Sequence, residues 1–554
     1  MGLIMVETTK KILPIGEDDF RLIRENQQAT YYVDKSLLIR DFISYGNKVT
    51  LITRPRRFGK TLNMTMLRDF FDITADSRKI FEGLSIMETE YAEKINTVPV
   101  VSFSLKGCTG KTSESLQKAI AVKVLKEYVK YAIIFKDVDP ENYSYSLYFR
   151  TLEKLKNEQI DEDLKNSLDY LVEALHAFYG VRPILLIDEY DDPIINAHQG
   201  GFREEFSDFY STFLTMVLKG NPHLGQAMLT GIQRVAKESI FSKLNNIVVY
   251  NVLDDQYANY FGFTQDETSQ LLQHYDLELN NDVKARYDGY LFGEIEIYNP
   301  WSILSYANKR KLQNYWLKTS TNALIKESVL EADHDFHRTF EKLIKNGEVE
   351  VTLNLEASFS ELPRTDTLWG LFVNAGYLTV IHADYDLNTF VVRIPNQEIK
   401  TEFQEIVSAY IKLSSQLLKD MLLALTRSQM VEFMTIYEKL VLESTSYYDV
   451  KENAYQMLML GMIMNLRDIY KITSNIESGH GRSDIRMESR DKKRPHIIIE
   501  FKQGEDVEKL KVEALAQIKQ RKYYTGLVGE VLCIGLAHNK KECQLAHAQI
   551  TVDC

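Results

Sequence analysis

The stretch Val49-Thr50-Leu51-Ile52-Thr53-Arg54-Pro55-Arg56-Arg57-Phe58-Gly59-Lys60-Thr61 decides how the chain is read. An apolar run breaks at a proline, turns basic and closes on Gly-Lys-Thr. Leu62, Met64, Met66, Leu67, Phe70 and Phe71 then recur at helical spacing. The pattern predicts strand, phosphate loop and helix. Backbone N–H groups at such a helix start face an anion, Lys60 reaches the β/γ-phosphates of ATP, and the Thr61 hydroxyl ligates Mg²⁺. Position 54 holds arginine where the general loop pattern has glycine, so the loop alone leaves a chance match open.

Two later stretches supply the missing parts. Pro183-Ile184-Leu185-Leu186-Ile187-Asp188-Glu189 reads as a buried parallel strand beside the phosphate loop, ending in two adjacent carboxylates. Asp188 is expected to hold Mg²⁺ and Glu189 to polarise the attacking water; the bland alternative is a solvated strand end. A second strand at Val98 to Phe103 lies between loop and acidic strand, the order a P-loop ATPase needs. After a helix from Phe202 to Leu218, Ala227 to Ile232 reads as the next strand and puts Thr230 near the γ-phosphate. Arg234 follows, placed to stabilise transition-state charge in cis or across a subunit contact. A surface arginine in a turn is the alternative, and a homo-oligomer stays open.

The flanking segments read structurally. Tyr31-Tyr32-Val33-Asp34-Lys35-Ser36 precedes an amphipathic run from Leu37 to Ile43, which either approaches the nucleotide base or packs on the sheet as an N-terminal helix. Residues 112–180 are mainly helical, with stripes at Leu116, Ile120, Val124, Leu125 and at Leu152, Leu155, and read as an insertion on the ATPase sheet.

A length of 554 residues suggests two to four domains, and 45% hydrophobic content suffices for ordinary cores. The net charge of −12 excludes a wholly basic nucleic-acid coat and leaves room for a local patch. Cys108, Cys533, Cys543 and Cys554 show no metal-binding spacing, as expected of reduced cytosolic thiols. The amino terminus lacks a secretory pattern. No run approaches the ~18 apolar residues of a membrane span. The apolar stretch Met457 to Met464 is short enough for a core helix. A cytoplasmic protein without membrane contact is expected.

Farther on, Leu368 to Phe372, Gly376 to Ile381 and Phe390 to Asn396 read as helix, strand, turn, strand, the pattern of a winged-helix-like module. Without a basic recognition helix, a joining role is expected. A helical connector from Glu402 to Lys439 leads to a second constellation. Gly481 to Met487, a basic tip at Arg490 to Pro495, and His496 to Lys502 form two strands and a turn. Alternation puts Glu500 and Lys502 on one face, with Asp484 beside Glu500. Two carboxylates holding Mg²⁺ or Mn²⁺ and a lysine that orients the nucleophile are the chemistry of metal-dependent phosphodiester cleavage. Residues 480–522 hold 12 Lys/Arg against 8 Asp/Glu, which suits DNA or RNA as partner. A solvated hairpin with ordinary ion pairs is the alternative.

Tyr32-Val33-Asp34-Lys35, the loop from Thr53 to Thr61, Asp188 to Pro193, Thr230-Gly231-Ile232 and Phe241 to Asn246 resemble the prokaryotic AAA-ATPase-like family. The Arg-Pro-Arg-Arg-Phe-Gly-Lys loop is that family's usual form. The resemblance covers roughly residues 12–300, ending in Tyr287-Asp288-Gly289-Tyr290 and Tyr298 to Ser302. Together with the readings above, it points to nucleotide binding by Arg54, Arg57, Phe58, Gly59, Lys60, Thr61, Asp188, Thr230 and Arg234. Glu452-Asn453, Ser474 to Gly479, Gly481 to Asp484, Ile499 to Lys502 and Ala516-Gln517-Ile518 resemble the PD-(D/E)XK nuclease-like domain often fused behind it. That implies Asp484, Glu500 and Lys502 as catalytic core, Glu452 as a supporting carboxylate and Gln517 on the next helix.

The expected fold is therefore α/β: a P-loop NTPase over 1–300, a winged-helix-like and helical linking region over 301–410, and a nuclease-like domain over 411–554. The expected function is an ATPase whose nucleotide state controls a nuclease, in a setting of defence against foreign nucleic acid. The alternative is a nucleotide-dependent switch or scaffold whose nuclease-like domain only binds.

Overall fold

The computed structural model describes residues 10–233, 246–316, 325, 328–329, 332–356, 362, 364–400, 403, 415–444, 459, 462–463, 466, 469–478, 481–491, 493–539 and 542–552. The chain forms two compact units, Met1–Lys400 and Thr401–Cys554.

In the first unit β1 (Val49–Thr53), β2 (Val100–Ser104), β3 (Ile184–Asp188), β4 (Ala227–Gly231) and β5 (Ile247–Tyr250) make a parallel sheet ordered β2-β3-β4-β1-β5. Every residue of β1, β3 and β4 is buried, as parallel strands covered on both faces require. The acidic strand β3 is not the neighbour of β1; β4 lies between them, pairing β1 from Val49↔Ala227 to Thr53↔Gly231 and β3 from Leu185↔Ala227 to Ile187↔Leu229. Both flanking strands gain a buried apolar partner in β4, and Thr230 comes to lie between loop and acidic strand.

The helix Lys60–Phe71 runs from the phosphate loop, burying Met64, Met66, Leu67, Phe70 and Phe71. Helices Ser113–Ala132, Tyr143–Lys156 and Glu162–Tyr179 connect β2 to β3, and Leu116, Ile120, Val124, Leu152 and Leu155 are their buried stripe; Leu125 is only partly covered. Helix Leu37–Tyr45 buries Leu38, Ile39 and Phe42. A small sheet of β6 (Phe263–Thr264), β7 (Tyr290–Phe292) and β8 (Ile295–Tyr298) follows. The helix His334–Asn346, β9 (Glu348–Val351), the helix Thr365–Asn374, β10 (Thr379–Asp384) and β11 (Thr389–Arg393) then give the winged-helix-like arrangement, with antiparallel order β10-β11-β9.

The second unit carries helices Ser415–Thr426 and Met430–Ser444 and a sheet ordered β12 (Tyr470–Ser478), β13 (Gly481–Ser489), β14 (His496–Gln503), β15 (Gly529–Asn539), β16 (Glu542–Val552). The β14–β15 pair is parallel and the others antiparallel. The helix Val507–Gln520 makes the crossover that a parallel pair demands. It lies so close to β15 that a Cβ on Gly535 would sit 2.4 Å from the Lys511 carbonyl oxygen, so only glycine fits there. Met459, Met462 and Ile463 are buried; the rest of the run from 457 to 464 lies outside the described residues. Among the described residues no helix is long and apolar enough to cross a membrane. Cys108, Cys533 and Cys543 are buried free thiols, and burial raises the pKa of each.

Candidate functional site

The carboxyl ends of β1, β2, β3 and β4 converge on the phosphate loop, where open α/β sheets place ligands. Two residues of the loop, Arg57 at φ +67° and Gly59 at φ +85°, adopt the left-handed conformation. Alternating hands in consecutive residues turn successive N–H groups to one side, the arrangement that receives an anion. Nothing would obstruct a Cβ on Gly59, so its backbone conformation is what calls for glycine there. Lys60 begins the helix with only 3% of its surface exposed. Its Nζ donates to the carbonyls of Arg54 and Pro55, both at 3.1 Å, and lies 3.9 Å from Glu189 Oε1.

Asp188 is the hub of the site. It is buried, and its carboxylate accepts the hydroxyls of Thr61 at 2.7 Å, Thr230 at 2.5 Å and Ser104 at 3.4 Å. Burial first, then the Glu189 charge, raises its pKa, which the hydroxyl donors and Lys60 oppose. Carboxylate and hydroxyl oxygens in one place are a donor set that suits Mg²⁺. Glu189 follows at φ +52°, and its Oε2 is buried with no hydrogen-bond partner. Asp191 and Asp192 complete a group in which one oxygen from each of Glu189, Asp191 and Asp192 lies within 4.8 Å of the others. Burial and the neighbouring carboxylates push Asp191 up to about 7 and raise Asp192, whose Oδ1 lies 3.8 Å from Arg56.

A cavity of about 690 Å³ opens from these residues. Arg56, Arg57, Gly59, Lys60, Thr61 and Glu189 give it a polar lining, and Tyr31, Val33, Phe263, Trp301 and Leu304 an apolar one. The N-terminal cluster thus does two things: Tyr31, Tyr32 and Val33 face the cavity, while the helix behind them packs in the core. Lys35 also reaches the cavity wall, with its ammonium held by Glu267 at 2.6 Å and the Asn259 carbonyl at 2.6 Å.

Of the expected nucleotide ligands, Arg54 lies away from the cavity and Phe58 only borders it. Arg54 is fully buried and absent from the cavity lining. Its guanidinium donates to the Thr53 and Tyr250 carbonyls at 2.9 and 3.1 Å and lies over the Phe261 and Phe292 rings. Burial lowers its pKa to about 9. Arginine replaces glycine here because the side chain fills space between β1 and the small sheet. Phe58 borders the cavity, but its ring is fully buried against Tyr290 and Phe292, with centroids 5.0 and 5.2 Å away, and anchors the loop. Arg57 is shared: it lines the cavity, lies over the Trp301 ring and donates to the Tyr315 and Trp316 carbonyls at 3.1 and 2.9 Å. Arg234 lies outside the described residues.

Sequence reasoning assigned no role to Arg56, Ser104, Lys106, Thr109 or Asp191. Their signal was available in part. Lys106, Gly107 and Thr109 follow the carboxyl end of β2 and line the cavity, but which strand ends meet is set by strand order.

In the second unit, register sets Ile485 opposite Ile499, so Asp484 faces Glu500 on the paired strand. The Asp484 N–H donates to Glu500 Oε2 at 3.3 Å, and the Phe501 N–H donates to Asp484 Oδ2 at 2.8 Å. Gln517 Nε2 donates to Glu500 Oε1 and to the Tyr523 hydroxyl, the latter at 3.1 Å. Glu500 is 3% exposed, whereas Lys502 and Gln517 line an adjoining cavity of about 630 Å³ with Gly481, Arg521 and Tyr523. The structure thus gathers Asp484, Glu500, Lys502 and Gln517; Tyr523 is a member the sequence did not reveal. Two adjacent carboxylates fit a hard divalent cation. Glu452 lies outside the described residues.

Family comparisons agree with both geometries. A family model of predicted AAA-ATPases matches residues 14–241, and one of the PD-(D/E)XK nuclease superfamily matches residues 450–548. The chain carries an AAA-ATPase-like domain and a PD-(D/E)XK nuclease-superfamily domain. A protein of Azotobacter chroococcum mcd 1 described as an uncharacterized protein in the vnfD 5′ region is 28% identical over 401 residues, 72% of this chain and 70% of that protein. Among solved structures, the Walker-type ATPase PABY2304 of Pyrococcus abyssi aligns with a TM-score of 0.33 and 14% identity, over 66% of this chain and 93% of that one. The AAA-ATPase-like domain includes the phosphate loop, Asp188, Glu189 and Thr230; the nuclease-superfamily domain includes Asp484, Glu500, Lys502 and Gln517.

Proposed function

We propose that the AAA-ATPase-like domain hydrolyses ATP and that its nucleotide state controls metal-dependent cleavage of DNA or RNA by the nuclease domain, in a prokaryotic defence setting. The observation that carries the ATPase half is the hub at Asp188, which gathers Thr61 and Thr230 beside Glu189 and Lys60. Lys60 exchanges its loop carbonyls for phosphate oxygens. Thr230 senses the γ-phosphate from the end of β4, and Glu189 orients the water. Arg56 and Arg57 supply further positive charge at the cavity mouth. In the nuclease domain Asp484 and Glu500 hold the cation, Lys502 orients the nucleophile, and Gln517 keeps the Glu500 carboxylate in place. Divalent cations, when bound at the two sites, neutralise phosphate oxygens and acidify a water.

A second reading is a nucleotide-dependent switch whose nuclease-like domain binds nucleic acid without cutting. It draws support from Glu500, which accepts both the Asp484 amide and Gln517 within the fold. A screen of single- and double-stranded DNA and RNA with Mg²⁺ or Mn²⁺, with and without ATP, decides between them. Cleavage that is lost in Glu500→Ala and altered in Glu189→Gln supports control of a nuclease. Binding without cleavage under every condition supports the switch.

A further inference from the structure

We propose that Asp191 is a positioning residue for ATP hydrolysis: it locks the end of β4 to the acidic turn after β3 and so holds Thr230 and Glu189 in their working arrangement. This rests on the ATPase reading of the site. The β3–β4 ladder stops at Ile187↔Leu229, one residue short of both Asp188 and Thr230. Beyond it, side chains and single backbone bonds must keep the strand ends together. Asp191 supplies two of these bonds. Its fully buried Oδ2 accepts the N–H groups of Ile232 at 2.8 Å and Gln233 at 3.1 Å. Tyr190 adds its N–H to the Thr230 carbonyl at 3.0 Å and its hydroxyl to the Gln233 carbonyl at 2.6 Å.

Gly231 makes room for this clamp. A Cβ there would lie 2.7 Å from Asp191 Oδ1 and 2.7 Å from the Tyr190 ring, closer than real contacts allow. The clamp also accounts for Glu189. A left-handed backbone at a residue with a Cβ costs on the order of 1 kcal/mol and persists only where its surroundings over-determine it. Residues 190 and 191, bonded at four points to Thr230 in β4 and to Ile232 and Gln233 just after it, provide that constraint directly after Glu189. The unpartnered Oε2 of Glu189 is then held by this backbone turn together with the Lys60 ammonium, 3.9 Å from Oε1.

The test uses the full chain with Asp191→Ala, Asp191→Asn and Gly231→Ala. Asparagine keeps the acceptor oxygen; alanine removes it. Asp191→Ala should lower kcat for ATP on the order of 100-fold with KM within about threefold, because displacement by about 1 Å suffices for such a loss. Asp191→Asn should restore kcat to within about threefold of the wild type, and Gly231→Ala should reproduce the alanine defect. Hydrogen exchange of the Ile232 and Gln233 amides should quicken about tenfold or more in Asp191→Ala and in no residue of β1. Unchanged exchange there overturns the clamp. Faster exchange with wild-type kcat, or equal losses in KM and kcat, overturns the positioning role. Absence of hydrolysis in the wild type, with the exchange result intact, overturns the ATPase reading and the catalytic role together while leaving the clamp.

Discussion

Replacing Lys60 by alanine tests the phosphate loop directly. The ammonium is nearly buried, and a phosphate oxygen replacing the loop carbonyls would lie about 4 Å or less from it. At an effective dielectric of about 20, one unit charge at that distance contributes about 4 kcal/mol. Against this stand the two hydrogen bonds to the Arg54 and Pro55 carbonyls, which Lys60 gives up on binding, each about 1 kcal/mol net. The remaining ~2 kcal/mol corresponds to about a 30-fold loss of ATP affinity. Alanine also strips donors from two buried carbonyls, so Lys60→Met, which keeps the apolar stem, controls for misfolding. Calorimetric titration with Mg²⁺-ATP gives the affinity, and phosphate release gives the rate. Both variants binding ATP within about threefold of the wild type and hydrolysing it at the wild-type rate would refute the phosphate-loop assignment.

Asp188→Ala should weaken Mg²⁺-ATP by removing the acceptor that joins Thr61 to Thr230, while Glu189→Gln should keep binding and slow hydrolysis; equal effects in both assays would contradict the separate roles. In the nuclease domain Asp484→Ala and Glu500→Ala should each weaken Mn²⁺ binding and stop cleavage, and Lys502→Ala should keep the metal and lose cleavage. Calorimetry with Mn²⁺ that shows unchanged affinity in both carboxylate variants removes the metal site. His538 provides a pH test of stability: it is fully buried beside the Tyr437 hydroxyl at 2.9 Å, and burial lowers its pKa to about 3. The unfolded imidazole titrates near 6.5, so below that pH only the unfolded chain takes up the proton and stability falls as pH drops toward 3. At pH 5 the loss is about 2 kcal/mol. His538→Gln should lack this component of the pH dependence in denaturant unfolding of the second unit, and an identical slope in both proteins would refute it.

What the sequence alone determined is what local pattern encodes. The run into Gly59-Lys60-Thr61, the apolar strand ending at Asp188-Glu189, and the alternation that pairs Glu500 with Lys502 each lie within a few residues, where backbone geometry and burial leave few readings. The hairpin register that sets Asp484 beside Glu500 was legible for the same reason, since two strands and one turn fix it. Tertiary structure decided the rest. The insertion of β4 between β1 and β3 depends on which apolar strands bury each other, and residues far apart in sequence share that choice. The same long-range packing takes Arg54 away from the nucleotide cavity to Phe261 and Phe292, turns Phe58 into an anchor, and sets the Tyr523 carbonyl against the Arg486 guanidinium. Asp191 shows the difference most plainly. In sequence it is one acid among several, and only the end of a neighbouring strand, some forty residues later, supplies the two N–H groups that define its role.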